Sequence, residues 1–294
     1  MLTISEEQVR KHLPMGECVR LMRETFEALR AGTAVNQSRR RLFLPTGSTL
    51  HALAGAYGKY FGTKVYATNP KYGAHFFFLL FDAETSRPLA QFGANYLGQI
   101  RTGAASGYAT DLLAAPGASV LGVIGSGFQA RSQIDAIREV RKLKDIRVWS
   151  RSEVKRASIA QETGARAVST AEEAVRGADI VVTATSSKEP VLDASWIAPG
   201  THVNAMGSNN AQRRELPTEL VQKADLIAAD SIEQCKIEAG DLLLAGIEWS
   251  DPRLVELAKV TARPAGNPVT IFKSLGLGVE DVVAAAYVYE KLAR

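Results

Sequence analysis

The residues with the plainest chemical meaning lie in Val120-Leu-Gly-Val-Ile-Gly-Ser-Gly-Phe-Gln-Ala130. Gly125 permits a tight turn, Gly127 lets the backbone approach a pyrophosphate, and small Ala130 at the third position lets helix pack on strand. An anion would rest on the free N–H groups of the helix start. Ser150-Arg151-Ser152 ends the next strand, where an NAD-selective site usually carries Asp or Glu to accept hydrogen bonds from the ribose 2′-hydroxyl. A hydroxyl beside a guanidinium suits a 2′-phosphate, so NADP(H) is favoured, with NAD(H) as the other choice. Arg40, Lys64 and Arg101 are ordinary surface residues taken singly. Brought together at a cleft between domains, they would hold a carboxylate.

Other chemistries find no support in the sequence. Ser126 lies inside the glycine loop, with no histidine placed as a partner for a nucleophile. Cys18 and Cys235 stand far apart, and His12, His51, His75 and His202 are scattered without ligand spacing, so no metal site is expected. A reducing, cytoplasmic setting is the expectation. The chain has 294 residues, 46% hydrophobic and 22% charged, with a net charge of +4, the balance of an ordinary globular protein with an anionic ligand. No run of like charges has the length of a nucleic-acid tail, and no apolar stretch could span a membrane.

Two domains must position these groups. Val120–Ile124 and the helical pattern of Ile134, Ile137 and Val140 form the strand–turn–helix start of a dinucleotide-binding unit. Strands at 146–149, 179–183, 202–205 and 226–229 alternate with helices, as a doubly wound parallel sheet of Rossmann type requires; 166–168 is a shorter extra strand. Ahead of it, Ser5 and Gln8 read as a capping box, and a second helix runs from Pro14 to Gly32. Short β-type runs from Arg41 to Asn95 predict a mainly antiparallel layer, with a hairpin loop at 82–88. A helix is expected from Gln99, which puts Arg101 near its start, and another over 279–292. Pro116-Gly117 punctuates the boundary. The expected organisation is an α+β substrate-binding and dimerisation domain over 1–115 with the C-terminal helix at 277–294, and a dinucleotide-binding domain over 116–276.

Several stretches together resemble the ornithine cyclodeaminase/μ-crystallin family: Gly62-Thr-Lys64, Ile100-Arg-Thr-Gly-Ala104, the glycine loop through Ala130, His202-Val-Asn-Ala-Met-Gly-Ser-Asn209 with Arg214-Glu-Leu216, Glu238-Ala-Gly-Asp241, and Thr270-Ile-Phe-Lys-Ser-Leu-Gly276 followed by Glu280-Asp281. They keep the family's order over nearly the whole chain. The resemblance implies a homodimer built on the N-terminal β layer and a nicotinamide cofactor at a cleft. It implies that the positions matching Arg40, Lys64 and Arg101 bind the carboxylate of a small amino or imino acid. Gly125, Gly127, Phe128, Gln129 and Ala130 match the phosphate loop, and Ser150, Arg151 and Ser152 the ribose-reading segment. Thr102, Thr185, Met206 and Lys273 match further positions near the cofactor.

Two departures bear on the reaction. Asn209 stands where the cyclising deaminases carry an Asp base; an amide can orient substrate or water but cannot exchange a proton. His51 stands where the ornithine-using enzymes carry a substrate-holding Glu. Hydride transfer survives both changes, because it needs a positioned cofactor, a gripped carboxylate and a proton donor. The expectation is an NAD(P)H-dependent imine reductase or amino-acid dehydrogenase acting on a small α-imino or α-amino acid such as pyrroline-2-carboxylate, with Lys64, Arg101 and Asn209 at the reacting centre. The alternatives are an ornithine or related diamino-acid cyclodeaminase, and an NADP-dependent binder without turnover.

Overall fold

Short apolar runs broken by turn residues become strands, and the two long amphipathic stretches become helices, in the computed structural model, which describes residues 1–293. β1 (Leu2–Ile4) leads into α1 (Glu6–His12), where the Ser5 hydroxyl accepts from the Gln8 N–H at 3.2 Å and the Gln8 side chain accepts from the Ser5 N–H at 2.9 Å. α2 (Met15–Ala31) buries Val19, Met22 and Phe26 and ends at Gly32. β2 (Ala34–Phe43), β3 (Thr49–Tyr57), β4 (Tyr60–Asn69), β5 (Gly73–Asp82) and β6 (Pro88–Gly93) form an antiparallel meander, and β1 adds to β6 in parallel, giving the order β1-β6-β5-β4-β3-β2. β2 begins at Ala34, earlier than the β-type runs predict, because its polar first half pairs with β3.

α3 (Asn95–Leu113) also begins earlier than its sequence pattern predicts, so Arg101 lies in its second turn. The cap comes from far away in sequence: the Glu6 carboxylate accepts the Asn95 and Tyr96 N–H groups at 2.7 and 2.6 Å. A carboxylate there satisfies two of the helix's orphan donors and complements its dipole. At the other end Arg141 donates to the carbonyls of Thr110, Asp111 and Ala114 at 3.0–3.1 Å and to the Asp111 carboxylate at 2.8 Å.

The second sheet contains the strands expected from the sequence and adds two that were not expected, at 254–256 and 270–273. β7 (Val120–Ile124), α4 (Phe128–Val140), β8 (Asp145–Trp149), α5 (Glu153–Thr163), β9 (Arg166–Ala167), α6 (Ala171–Val175), β10 (Ile180–Thr183), β11 (His202–Ala205), α7 (Thr218–Lys223), β12 (Leu226–Ala229), α8 (Ile232–Glu238), α9 (Gly240–Leu243), β13 (Leu254–Glu256) and β14 (Thr270–Lys273) build an all-parallel sheet ordered β13-β12-β14-β11-β10-β7-β8-β9. Ile180 and Val182 pack with α4 and α5 residues on one face, while Val181 joins Leu220 and Val221 of α7 on the other. Both faces are therefore covered, as a parallel sheet demands. α10 (Gly278–Leu292) closes the chain. Residues 1–104 with those from 276 onward form one compact unit and 105–275 the second, the division falling inside α3. Among the described residues no helix is long and apolar enough to cross a membrane.

Arg141→Ala removes the guanidinium donor from the carbonyls of Thr110, Asp111 and Ala114. It is expected to lower stability by about 1.5–3 kcal/mol, the scale of hydrogen bonds to a charged group, read as a lower urea midpoint with an unchanged denaturant slope.

Candidate active site

In the 105–275 unit, β7 runs into a turn that only glycine fits well. Gly125 has φ +126°, and a Cβ there would strike the Ala184 carbonyl. Gly127 caps α4, and a Cβ on it would point into open space. A cavity of about 510 Å³ lies over this turn, lined by Gly125, Ser126, Gly127, Ser150, Arg151, Ser152, Lys155, Thr185, Ser186 and Ser187, with Ile124, Trp149, Ala184, Pro190 and Val191 as its apolar wall. Two cations and no acid line it, a composition that fits the phosphates of a dinucleotide. Ser150 is a structural tie as well as a lining residue: its hydroxyl accepts from Ser126 at 2.8 Å and donates to the Ser152 carbonyl at 3.1 Å. Arg151, Ser152 and Lys155 are exposed around it. Ala130 is fully buried in the helix–strand core; Phe128 is exposed and Gln129 half-buried in the first turn of α4. Neither Phe128 nor Gln129 is part of the lining.

Beneath this rim lies a buried polar network whose acids sequence reasoning left without a role. The Glu215 carboxylate accepts from Thr183 Oγ1 (2.9 Å), Thr185 Oγ1 (2.7 Å), the Thr185 N–H (2.6 Å) and the Gly207 N–H (2.7 Å). The N–H groups of Glu215 and Leu216 bond to Asp241 Oδ1, and Asp241 Oδ2 pairs with Lys273 Nζ at 2.7 Å. Lys273 also donates to the carbonyls of Ser208 (2.7 Å) and Ala205 (3.4 Å). Burial and the neighbouring Asp241 push the Glu215 carboxyl above its ordinary range. For Lys273 burial acts against the charge, but Asp241 holds its pKa above the usual lysine value. Lys273 is thus fully buried and braces the loops after β10 and β11, and it does not line the cavity, where the resemblance led us to expect it near the cofactor. Thr185 does line it. Met206 is half-buried, its N–H bonded to the Thr183 carbonyl at 3.1 Å, and Asn209 is exposed.

In the other unit the expected cations are rearranged. Lys64 on β4 and Arg101 on α3 are buried and meet at Asp281 in the first turn of α10: Lys64 Nζ lies 3.0 Å from Oδ1 and 2.8 Å from Oδ2, and Arg101 Nε donates to Oδ1 at 3.1 Å. Arg101 Nη1 pairs with Glu280 Oε2 at 2.8 Å. The third inward arginine is Arg39, not Arg40. β2 faces inward at Ala34, Asn36 and Ser38, and plain alternation would bring Arg40 in next. A bulge breaks the register between Gln37 and Arg40, so Ser38 and Arg39 both turn inward and Arg40 is exposed. Arg39 donates to the Gly276 carbonyl at 3.5 Å.

Burial, then the charge of Arg101, pushes the Lys64 pKa down to about 8 against the pull of Asp281. Burial also opposes the charge of Arg101, but Asp281 and Glu280 raise its pKa above the ordinary arginine value. His51 stacks on Tyr66 with ring centroids 4.2 Å apart; one ring nitrogen accepts from Arg41 Nε at 3.2 Å and the other lies 2.9 Å from Thr68 Oγ1. Burial and then Arg41 lower its pKa to about 4, and with both nitrogens engaged it reads as a sheet-face residue. Thr102 donates to the Gly98 carbonyl within α3 at 2.7 Å.

Lys273→Met leaves Asp241 buried without its cation, so a loss of about 3–5 kcal/mol is expected in chemical denaturation. A residue that merely touched cofactor would lose affinity and keep the midpoint.

The sequence of the family described as ornithine cyclodeaminase/mu-crystallin matches this chain over residues 1–294. The ketimine reductase mu-crystallin of Mus musculus is 39% identical over 217 residues, covering 72% of this chain and 68% of that protein. The structure of Thermococcus litoralis Delta(1)-pyrroline-2-carboxylate reductase in complex with NADH and L-proline superposes with a TM-score of 0.93 at 29% identity, covering 100% of this chain and 98% of the other. An archaeal alanine dehydrogenase dimer with bound NAD gives 0.93 at 30% identity, covering 100% and 96%. Whole-chain agreement in sequence, together with the glycine turn and the buried cations already described, leads to one conclusion: this chain belongs to the ornithine cyclodeaminase/mu-crystallin family.

Proposed function

We propose that this protein is an NAD(P)H-dependent oxidoreductase that transfers hydride to or from the C–N bond of a small α-imino or α-amino acid, with a cyclic ketimine such as pyrroline-2-carboxylate as the substrate class. The observation that carries the reading is the buried charge set of the first unit. Lys64 and Arg101 are both buried and meet at one oxygen of Asp281, and Arg39 is near enough to act on the Lys64 charge. Cations gathered this closely offer a substrate carboxylate several charged donors at once. Relatives that reduce ketimine and pyrroline-2-carboxylate, by their names, support the same chemistry.

A bound nicotinamide supplies or accepts the hydride. The chain's own residues do the rest. Gly125 and Gly127 clear the way for the phosphates at the start of α4. Arg39, Lys64 and Arg101 fix the carboxylate, so the imine carbon is held for attack rather than tumbling. Lys64, with its pKa near 8, lies in the range where a side chain can give a proton to the imine nitrogen at neutral pH. Asn209, an amide where the cyclising enzymes carry a carboxylate base, favours net reduction over ammonia release.

Three finer points belong to the same proposal. Arg151 and Lys155 beside Ser150, with no acid in the lining, support NADP(H) as the preferred cofactor. The outward face of the first sheet carries Phe61, Val65, Phe77 and Leu79, with Phe77 61% exposed; with the dimeric alanine dehydrogenase relative, this supports a homodimer. The two buried free cysteines suit a reducing, cytoplasmic compartment.

Following NADPH absorbance over a panel of cyclic imino acids, with an ammonia assay on ornithine and lysine, tests the reaction; ammonia release without net oxidation of cofactor overturns it. Arg151→Ala is expected to weaken NADPH binding by about 1.5–3 kcal/mol and leave NADH little changed, measured by fluorescence titration. Equal loss for both cofactors removes the NADP argument. Arg101→Ala should abolish turnover of carboxylate substrates while the same titration stays near wild type, and surviving turnover would falsify the placement of the substrate carboxylate.

A further inference from the structure

Two close approaches seat the N-terminus of α10 directly on the first sheet. A Cβ on Gly55 of β3 would lie 2.5 Å from Val279 Cα, and one on Gly278 would lie 2.5 Å from the Ala54 carbonyl oxygen. The Val279 N–H is taken by Asn36 Oδ1 of β2 at 3.3 Å, so the helix start is also tied laterally. This seating brings one carboxylate, that of Asp281, within reach of Lys64 from β4 and Arg101 from α3 together. Glu280 pairs with Arg101 Nη1 at 2.8 Å and accepts the Leu277 N–H at 3.3 Å.

Building on the function proposed above, we infer that Asp281 is a positioning residue: its single carboxylate sets the spacing of Lys64 and Arg101 and keeps Lys64 charged for the substrate carboxylate. The groups that face Lys64 are few. Asp281 comes from α10, Arg101 from α3 and Arg39 from β2; Glu280, also on α10, faces Arg101, as does the Cys18 thiol of α2. Burial raises the Cys18 thiol far above its ordinary range, so it stays neutral and adds no anion. Asp281 is therefore the anion in contact with Lys64, while Arg101 and Arg39 both act against its charge. Without Asp281 the ammonium would face two guanidiniums in a dry site, and the proton would leave at lower pH.

The test is a pH titration of the [ε-¹³C]lysine-labelled full chain by NMR, with Lys64 assigned through K64R, alongside kcat/KM profiles on a cyclic ketimine. Asp281→Asn is expected to move the Lys64 titration and the alkaline limb of kcat/KM down together by about one pH unit or more. Above both limbs that is about a tenfold loss in kcat/KM. Glu280→Gln should shift both by less. A D281N protein that keeps the wild-type titration and limb overturns the inference. Should D281N not fold, Asp281→Glu keeps the charge and alters only the reach. It should leave the limb in place and raise KM for the ketimine about tenfold, whereas a wild-type KM overturns the inference. If wild type turns over no imino acid yet Lys64 still titrates lower in D281N, the proposed reaction falls and the role of Asp281 stands.

Discussion

Water is excluded from two clusters of ionised side chains in this protein, and much of the backbone is arranged around that fact. An ammonium or carboxylate taken out of water needs partners on nearly every side. In the first unit the partners are side chains drawn from three elements, β4, α3 and α10, with Asp281 shared by Lys64 and Arg101. In the second they are mostly backbone groups, with Glu215, Asp241 and Lys273 gathering N–H and carbonyl groups from separate loops.

The two clusters do different work. The network around Glu215 is saturated: four donors converge on one carboxylate, and its role is to hold the loop carrying Thr185 and the backbone at Gly207 in fixed register at the ends of the parallel strands. Ligands of open parallel sheets bind outside those ends, so rigidity there translates into a preformed rim. The cluster around Asp281 instead joins side chains, one carboxylate spacing a lysine and an arginine.

Much of this was legible from residue order. The 2-residue and 3.6-residue periods placed the elements, and β7, β11 and β12 fall where their apolar runs predict. The glycine turn and the Ser150–Arg151 pair were readable because their chemistry is local. What stayed hidden depended on partners far along the chain. The early start of α3 needs Glu6, and nothing between Gly93 and Gln99 announces it. The resemblance implied Lys273 near the cofactor, while its bonds to Asp241 and two carbonyls depend on partners that residue order alone does not reveal. The resemblance pointed to Arg40 within a run of three arginines, and which of the three turns inward depends on a bulge that residue order does not announce.

That bulge sits within a run of three arginines, residues 39–41. In most strands the gain or loss of one residue swaps every inward side chain for its outward neighbour. Here the neighbour carries the same guanidinium, so a slip of the register trades one arginine for another and the sign of the charge at that spot is conserved. The repetition makes the inward guanidinium of this edge strand insensitive to a one-residue slip that would remove a singly encoded one.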